Sequence, residues 1–269
     1  MDKKNYSAPA LDKGLDILEL LAVSSTGLTQ AEIAENLNKS VNEIYRMLNT
    51  LKIRNYLEFD SSTDSYKLSY KLLNLSASFN PTKTLLQKAN PIMREITALI
   101  GQSIHLSIYT AGKLLVIAQN DSGSKFNYHV TVGSTFDLLE TSSGRVILTF
   151  QSDKERERRL LRRKTFLSFD KKYNLPKATI KELEKKYSKH TIHRIKKDGC
   201  EIVKSLQISG ITNISFPIFD HSGYAIAALT APFLNRLHGN KVNINKASSV
   251  MAKYSFKLSN ELGYESKVK

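Results

Sequence analysis

TQAEIAENLNKSVNEIYRMLNTL, residues 29–51, contains two helix starts eleven positions apart. At each start a hydroxyl residue, Thr29 or Ser40, stands three positions before a glutamate, Glu32 or Glu43. This is the spacing of a capping box, in which the hydroxyl accepts from the backbone N–H three residues on and the carboxylate accepts from the N–H of the cap residue. The segment therefore predicts two short helices separated by a turn, which is a helix-turn-helix.

The flanking residues extend this motif to a winged helix-turn-helix. An amphipathic helix precedes it and stops at the Gly-containing break 24–27, and two alternating runs, 56–59 and 66–68, flank a polar turn and predict a β-hairpin, the wing. The apolar positions of the three helices are Leu11, Leu15, Ile17, Leu18 and Leu21, then Ile33, Ala34 and Leu37, then Ile44, Leu48 and Leu51.

The outer face of the third predicted helix is polar. Its side chains carry donors and acceptors that read base edges or grip phosphates, and a lysine of the wing is placed to reach the duplex backbone. Glu43 has two interpretations: it accepts from a cytosine amino group, or its role is confined to the cap, which we favour because phosphates repel a carboxylate. The predicted DNA-binding residues are Thr29, Asn42, Glu43, Tyr45, Arg46, Asn49 and Lys67.

Composition indicates a globular cytoplasmic protein that does not enter the membrane. The chain has 269 residues, of which 41% are hydrophobic and 24% charged, and its single cysteine, Cys200, excludes an intrachain disulfide. No apolar run reaches the roughly 18–20 residues that a membrane span needs. The net charge of +15 attracts polyanions, but residues 1–80 hold 9 Lys/Arg against 10 Asp/Glu and residues 151–204 hold 18 against 8. Bulk charge therefore does not mark the DNA-reading domain.

Proline positions predict the domain organisation. Residues 68–79 read as a helix that Asn80-Pro81 ends, and Pro81 suits the first turn of a new helix, 82–100, in which Pro91 introduces a kink. We expect a winged helix-turn-helix over 1–68, a linker helix over 69–80 and an effector-binding domain over 81–269.

The last of these domains is predicted to be α+β with a mainly antiparallel sheet, because two strand hairpins lie between helices. The predicted strands are 103–109, 113–119, 126–132, 212–219 and 224–231, and the predicted helices are 141–150 and 244–262. The stretch Thr141-Ser142-Ser143-Gly144 would open the first of these helices, and a helix N-terminus rich in hydroxyl residues suits a carboxylate or phosphate.

The sequence resembles the isocitrate lyase regulator (IclR) family of bacterial transcription regulators from about residue 10 to residue 262. The stretches that carry the resemblance are 11–19, 27–34, 44–48, 66–68, 72–75, 144–148 and 210–218. The resemblance implies a GAF-like sensor domain that binds small organic acids and aromatic metabolites. Carried over by position, the effector-binding residues are Thr141, Ser142, Gly144, Asn213 and Thr230.

Two further patterns are interpreted as solvated surface. His190 and His193, with Cys200 nearby, share a helix face, but positive charge surrounds them and no carboxylate completes a metal site. The basic stretch 154–164 carries Glu/Arg pairs at helical spacing; its alternative role is non-specific attraction to DNA. We predict no catalytic residues, no metal and no cofactor.

These patterns together predict a sequence-specific DNA-binding transcriptional regulator that senses a small metabolite, an organic acid. Its partners would be operator double-stranded DNA, the effector, and further copies in a homodimer or homotetramer, with residues 8–22 and 68–79 supplying dimer contacts. Two alternatives stay open: an enzyme acting on a small acid with a protein-binding winged helix, and an architectural DNA-binding protein without a ligand.

Overall fold

A computed structural model describes residues 8–78, 82–125, 127–169, 177–235 and 242–265 of the chain. The chain divides into two compact units, Met1–Pro81 and Thr82–Lys269.

The smaller unit is a winged helix-turn-helix, as the sequence predicts. Its strands pair antiparallel in the order β1-β3-β2, so that the two-residue strand β1, which the sequence analysis missed, adds a third strand to the wing. The elements are α1 (Pro9–Val23), β1 (Leu28–Thr29), α2 (Gln30–Asn36), α3 (Val41–Ile53), β2 (Leu57–Asp60), β3 (Ser65–Leu68) and α4 (Lys71–Ser78).

Both capping boxes are confirmed. Thr29 N donates to Glu32 Oε2 at 2.8 Å, and Glu32 N donates back to Thr29 Oγ1 at 3.3 Å. At the start of α3, Ser40 N donates to Glu43 Oε2 at 2.9 Å and Glu43 N donates to Ser40 Oγ at 3.3 Å. Each box satisfies two backbone donors that a helix start otherwise leaves without partners.

The core of this unit is formed where α1, α2, α3 and the wing meet. Its buried members are Ile17, Leu21, Ile33, Ala34, Ile44, Leu48 and Leu57. The apolar face of α1 extends beyond this core, because Leu11 is 62% exposed and Leu15 is 48% exposed.

The predicted helix 68–79 starts later than expected. Leu68 ends β3, where it pairs with Leu57, so α4 begins at Lys71. Leu68 therefore belongs to the wing, as the alternating run 66–68 predicted, and Phe79 lies outside the described residues. Leu73 and Leu75 of α4 are exposed.

The larger unit is α+β with one six-stranded antiparallel sheet in the order β6-β5-β4-β9-β8-β7. Both predicted hairpins, β4–β5 and β8–β9, belong to this sheet, because β4 pairs with β9. The elements are α5 (Lys83–Ile100), β4 (Ile104–Thr110), β5 (Lys113–Asn120), β6 (Thr135–Asp137), α6 (Ser142–Thr149), α7 (Asp153–Phe169), α8 (Lys177–Lys186), α9 (Lys189–Asp198), β7 (Glu201–Lys204), β8 (Ile211–Phe219), β9 (Ala225–Leu234) and α10 (Ile244–Glu261).

The strand predicted at 126–132 is wrong for residues 127–132, and Phe126 lies outside the described residues. The strand that pairs with β5 on the edge away from β4 is β6, in the register Lys113↔Asp137. The alternation that suggested a strand has another origin, since Tyr128 and Val130 line a cavity.

Helices cover both faces of the sheet. On one face, α5 and α10 pack on the larger apolar core, which includes Ile104 and Leu106 of β4. On the other face, α6 packs with a second core that includes Leu114 and Val146. Because side chains alternate along a strand, the intervening residues of β4 face α6.

Removing either cap hydroxyl should destabilise the smaller unit. We expect Thr29→Ala and Ser40→Ala each to lower the free energy of unfolding by about 1 kcal/mol, because a backbone donor loses its acceptor. Urea unfolding followed by circular dichroism measures the change, with Ser25→Ala, an exposed serine before β1, as the control. Equal stabilities of Ser40→Ala and the control would contradict this role of the cap.

Candidate DNA-binding and effector sites

One face of α3 presents a polar surface to solvent. Asn42, Tyr45, Arg46 and Asn49 are all exposed, at the spacing i, i+3, i+4 and i+7 that places side chains on one side of a helix. Within the part of the chain that the structure describes, Arg46 makes no ion pair. These four predicted residues therefore form one contiguous surface, which we call the α3 face.

The other predicted DNA-binding residues are held by contacts within the unit. Glu43 accepts from Ser40 and from Lys13 Nζ at 2.9 Å, and these contacts, the Ser40 backbone N–H first, lower its pKa to about 2. The carboxylate is thus committed to the cap, the role favoured from the sequence.

Thr29 and Lys67 differ in how firmly they are held. The Thr29 hydroxyl belongs to the first capping box, where it also donates to Glu32 Oε2 at 2.8 Å. Lys67 Nζ lies 3.2 Å from Glu58 Oε2, but both side chains are about half exposed, so the pair is weak and leaves Lys67 available to other anions.

A cavity of about 40 Å³ lies beside the N-terminus of α6 in the larger unit. At 10–15 Å³ per molecule, that is room for about three waters. Four of the five predicted effector residues line it: Thr141, Ser142, Asn213 and Thr230. The sequence analysis missed His105, Leu114, Val116, Tyr128, Val130, Phe136, Ser143, Ser205, Gln207 and Ile211.

Gly144, the fifth predicted residue, does not line the cavity. A Cβ at this position would overlap the backbone carbonyl of Leu138. Glycine is therefore required here because α6 packs closely against the preceding loop.

A chain of buried hydroxyl groups joins the start of α6 to the sheet. Ser142 Oγ lies 2.7 Å from Ser215 Oγ, which lies 2.8 Å from Thr230 Oγ1, which in turn lies 3.0 Å from Ser143 Oγ. All four residues are at least 98% buried. The first turn of α6 is capped by Thr141, whose hydroxyl accepts from Gly144 N at 3.2 Å. The helix start is thus fixed in position beside the cavity.

Ion pairs of two buried carboxylates contact α6 and the loop that leads into it. Arg145 of α6 donates to Glu201 of β7 at 2.8 Å, and Arg194 donates to the other oxygen of the same carboxylate at 2.9 Å. Arg163 of α7 donates to Asp137 at 2.5 Å, and Asp137 also accepts from the backbone of the loop that leads into α6.

The interpretation of residues 154–164 as solvated surface is therefore wrong for Arg163, which is fully buried. Periodicity does not reveal this, because the partner Asp137 lies 26 residues earlier in the chain. The His190 and His193 side chains are exposed, and Cys200 is buried, with burial raising its pKa to about 11. The described residues contain no cluster of three or more metal-ligating side chains.

His105 is the histidine among the described residues that line the cavity. It is 8% exposed, and its Nδ1 has no hydrogen-bond partner among the described residues. Burial lowers its pKa from 6.5 to about 4, so the imidazole is neutral at neutral pH. No Asp, Glu, Lys or Arg is among the described residues that line the cavity. The sequence signal for this residue was a histidine at an inward-facing position of the alternating run 103–109.

The fold and these sites define a DNA-binding transcriptional regulator with a ligand-binding domain. The family model for the bacterial transcriptional regulator IclR C-terminal domain matches residues 81–252, and that for the IclR helix-turn-helix domain matches residues 10–61. The chain belongs to the IclR family.

Relatives of the same family align over most of the chain. The regulator BhcR of Paracoccus denitrificans is 27% identical over 82% of this chain and 76% of its own length. KdgR of Escherichia coli is 24% identical over 98% of this chain and 96% of its own.

Solved structures share the fold. Thermotoga maritima IclR superposes with a TM-score of 0.67 at 22% identity, covering 95% of this chain and 99% of that one. An IclR homolog from Microbacterium hydrocarbonoxydans, complexed with 4-hydroxybenzoate, gives a TM-score of 0.71 at 17% identity, covering 94% of this chain and 99% of that one.

Among the described residues, no helix has the length and apolar character that a membrane span requires.

The buried neutral His105 should make stability depend on pH. In the unfolded chain His105 takes up a proton below about pH 6.5. In the folded chain its pKa is about 4, so it stays neutral until the pH falls to that value. Stability is therefore lost as pH falls through this window, by about 2 kcal/mol between pH 7.5 and pH 5 relative to His105→Gln.

Urea unfolding of both proteins at the two pH values measures this difference. His190→Gln, at an exposed histidine of α9, is the matched control and should follow the wild type. If the stabilities of wild type and His105→Gln change in parallel with pH, His105 is not held neutral by the fold.

Proposed function

We propose that this protein is a sequence-specific DNA-binding regulator whose affinity for its operator is set by a small organic acid. The N-terminal unit would bind DNA and the C-terminal unit the acid. The α3 face carries the first part of the proposal, and the cavity at the start of α6 carries the second.

The α3 face has the chemistry of a major-groove reader. Its amide side chains pair with adenine edges and its guanidinium pairs with guanine O6 and N7. Arg46 is exposed and has no competing ion pair among the described residues. The negative charge of Glu43 is offset by Lys13, and its carboxylate is bound within the Ser40 cap. The unit can therefore approach phosphates although residues 1–80 carry a net charge of −1.

We propose that the operator is read by at least two copies of the chain. A single short α3 reads only a few base pairs, and dimers of such units read two half-sites. Leu11 and Leu15 of α1 and Leu73 of α4 are exposed apolar side chains within the segments predicted to form dimer contacts. Exposed apolar surface of this kind is typical of an interface between subunits.

The proposed effector is a carboxylate. The N-terminus of α6 carries the positive end of the helix dipole, and the surrounding hydroxyl groups donate hydrogen bonds. None of the described residues that line the cavity has a negatively charged side chain that would repel an anion. In the Microbacterium hydrocarbonoxydans homolog the bound ligand is 4-hydroxybenzoate, which is also a carboxylate.

Coupling between the two sites follows from linkage. If the acid binds one conformation of the protein more tightly and that conformation differs in its affinity for DNA, each ligand changes the affinity for the other by the same factor. Regulation therefore requires no catalytic step.

Loss of the α3 face should abolish sequence-specific binding. We expect Arg46→Ala and Asn49→Ala each to weaken binding by about 1–3 kcal/mol, because each removes contacts to a base edge. The measurement is fluorescence anisotropy on the duplex that the wild type selects from a random-sequence pool. Arg94→Ala, an exposed arginine of α5, is the control. Unchanged affinity of folded Arg46→Ala would refute this role of α3.

A carboxylate should stabilise the protein where its amide does not. We expect at least one short carboxylic acid to raise the melting temperature of the full chain and to change its DNA affinity, while the matched carboxamide does neither, because only the anion gains from the helix dipole. Thr230→Val should weaken acid binding about tenfold by breaking the hydroxyl chain. The control is Thr131→Val, at an exposed threonine. Equal shifts with acid and amide would refute the proposal.

A further inference from the structure

Five polar residues form one lateral row across five strands of the sheet. The register pairs Gln119 with His105, His105 with Thr230, Thr230 with Ser215, and Ser215 with Glu201. Directly opposed residues of antiparallel strands point to the same face, so all five side chains lie on the face covered by α6. We call this set the polar row.

Three members of the polar row are satisfied by residues in the first part of α6. Ser215 bonds to Ser142, Thr230 bonds to Ser143, and Glu201 pairs with Arg145. At this end of the row, hydrogen bonds and an ion pair within the protein satisfy the polar groups.

The other two members keep atoms without partners. His105 Nδ1 and Gln119 Oε1 are buried and make no hydrogen bond among the described residues, although Gln119 Nε2 donates to Asp121 at 2.9 Å. Ser107 Oγ and Tyr109 OH, further along β4, also lack partners, but of these β4 residues only His105 lines the cavity. Buried polar groups are almost always hydrogen-bonded, so an unpaired nitrogen on a side chain that lines a cavity marks a candidate contact for a ligand atom.

We propose that His105 is a specificity-determining residue of the effector site, and that the effector is a short hydroxy acid whose hydroxyl group binds His105 Nδ1. This inference rests on the proposed function, in which the carboxylate of the same acid lies at the start of α6.

A hydroxyl group fits this end of the row better than other polar groups. It can accept from an imidazole N–H or donate to an imidazole nitrogen, whichever tautomer is present. A carbonyl oxygen, which only accepts, would pair with only one of the two tautomers. An ammonium group also donates, but the burial that keeps the His105 imidazole neutral also disfavours a cation at the same place.

The two ends of the ligand must be close together. His105 and Thr230 are directly opposed, with Cβ atoms about 4.5–5.5 Å apart in such pairs, and Thr230 bonds to Ser143 in the first turn of α6. The cavity of about 40 Å³ is small and favours short ligands. Glycolate and lactate carry the hydroxyl group on the carbon next to the carboxylate and are among the smallest hydroxy acids.

Matched pairs of acids test the inference on the full-length protein. Isothermal titration calorimetry would compare glycolate with acetate and lactate with propionate, which differ only in the hydroxyl. We expect the hydroxy acid of each pair to bind at least about tenfold more tightly, since one buried hydrogen bond is gained. We expect His105→Phe to reduce this preference to less than about twofold while acetate and propionate still bind. His105→Gln, which keeps a hydrogen-bonding group, should retain part of it, and His190→Phe, at an exposed histidine, should retain all of it.

Each other outcome overturns a defined part of the argument. Equal affinities within the pairs in the wild type, or a full preference in folded His105→Phe, refute the role of His105 while the proposed carboxylate effector stands. Tighter binding of glycine than of glycolate refutes the choice of a hydroxyl. If none of the four acids binds, this inference fails, and the comparison of acids with their carboxamides decides the proposed function separately. The wild-type comparison is decisive even if His105→Phe does not fold.

Discussion

The hydroxyl contacts between Ser142 and Ser143 of α6 and Ser215 and Thr230 of the sheet determine the geometry of the larger unit. A helix that packs on a sheet through apolar side chains alone can slide, whereas buried hydrogen bonds require one position, because each missed bond leaves a desolvated polar group. The N-terminus of α6 is therefore fixed above the sheet, and the cavity beside it has a defined polar end.

Charged residues extend this constraint away from the cavity. Glu201 receives both Arg145 and Arg194, and Asp137 joins Arg163 to the loop that leads into α6. Removing one partner of such a pair leaves an uncompensated buried charge, which costs several kcal/mol. Part of the excess positive charge in residues 151–204 thus serves the position of α6, and counting charge alone would misassign it to nucleic-acid binding.

The smaller unit uses charge in the opposite way. Its acidic residues Glu32 and Glu43 accept from backbone N–H groups at the starts of α2 and α3, so they stabilise the helices, and Lys13 offsets the charge of Glu43. The α3 face is left with amide, phenol and guanidinium groups, which suit the edges of bases. A domain with no net positive charge can in this way present a DNA-reading surface.

Sequence by itself determined what depends on neighbours within one turn or one hairpin. The two capping boxes, the α3 face, the wing and the start of α6 at Thr141 all follow from spacings of a few residues, and the family resemblance then selected Ser142, Asn213 and Thr230. Only the tertiary structure decided that β6 and not 127–132 completes the sheet, that Gly144 is a packing residue, that Arg163 is buried and that His105 lines the cavity. Each of these depends on a partner outside the residue's own helical turn or strand, and hydrogen-bond satisfaction and close packing between such partners are decided when the sheet and helices pack, not by local periodicity.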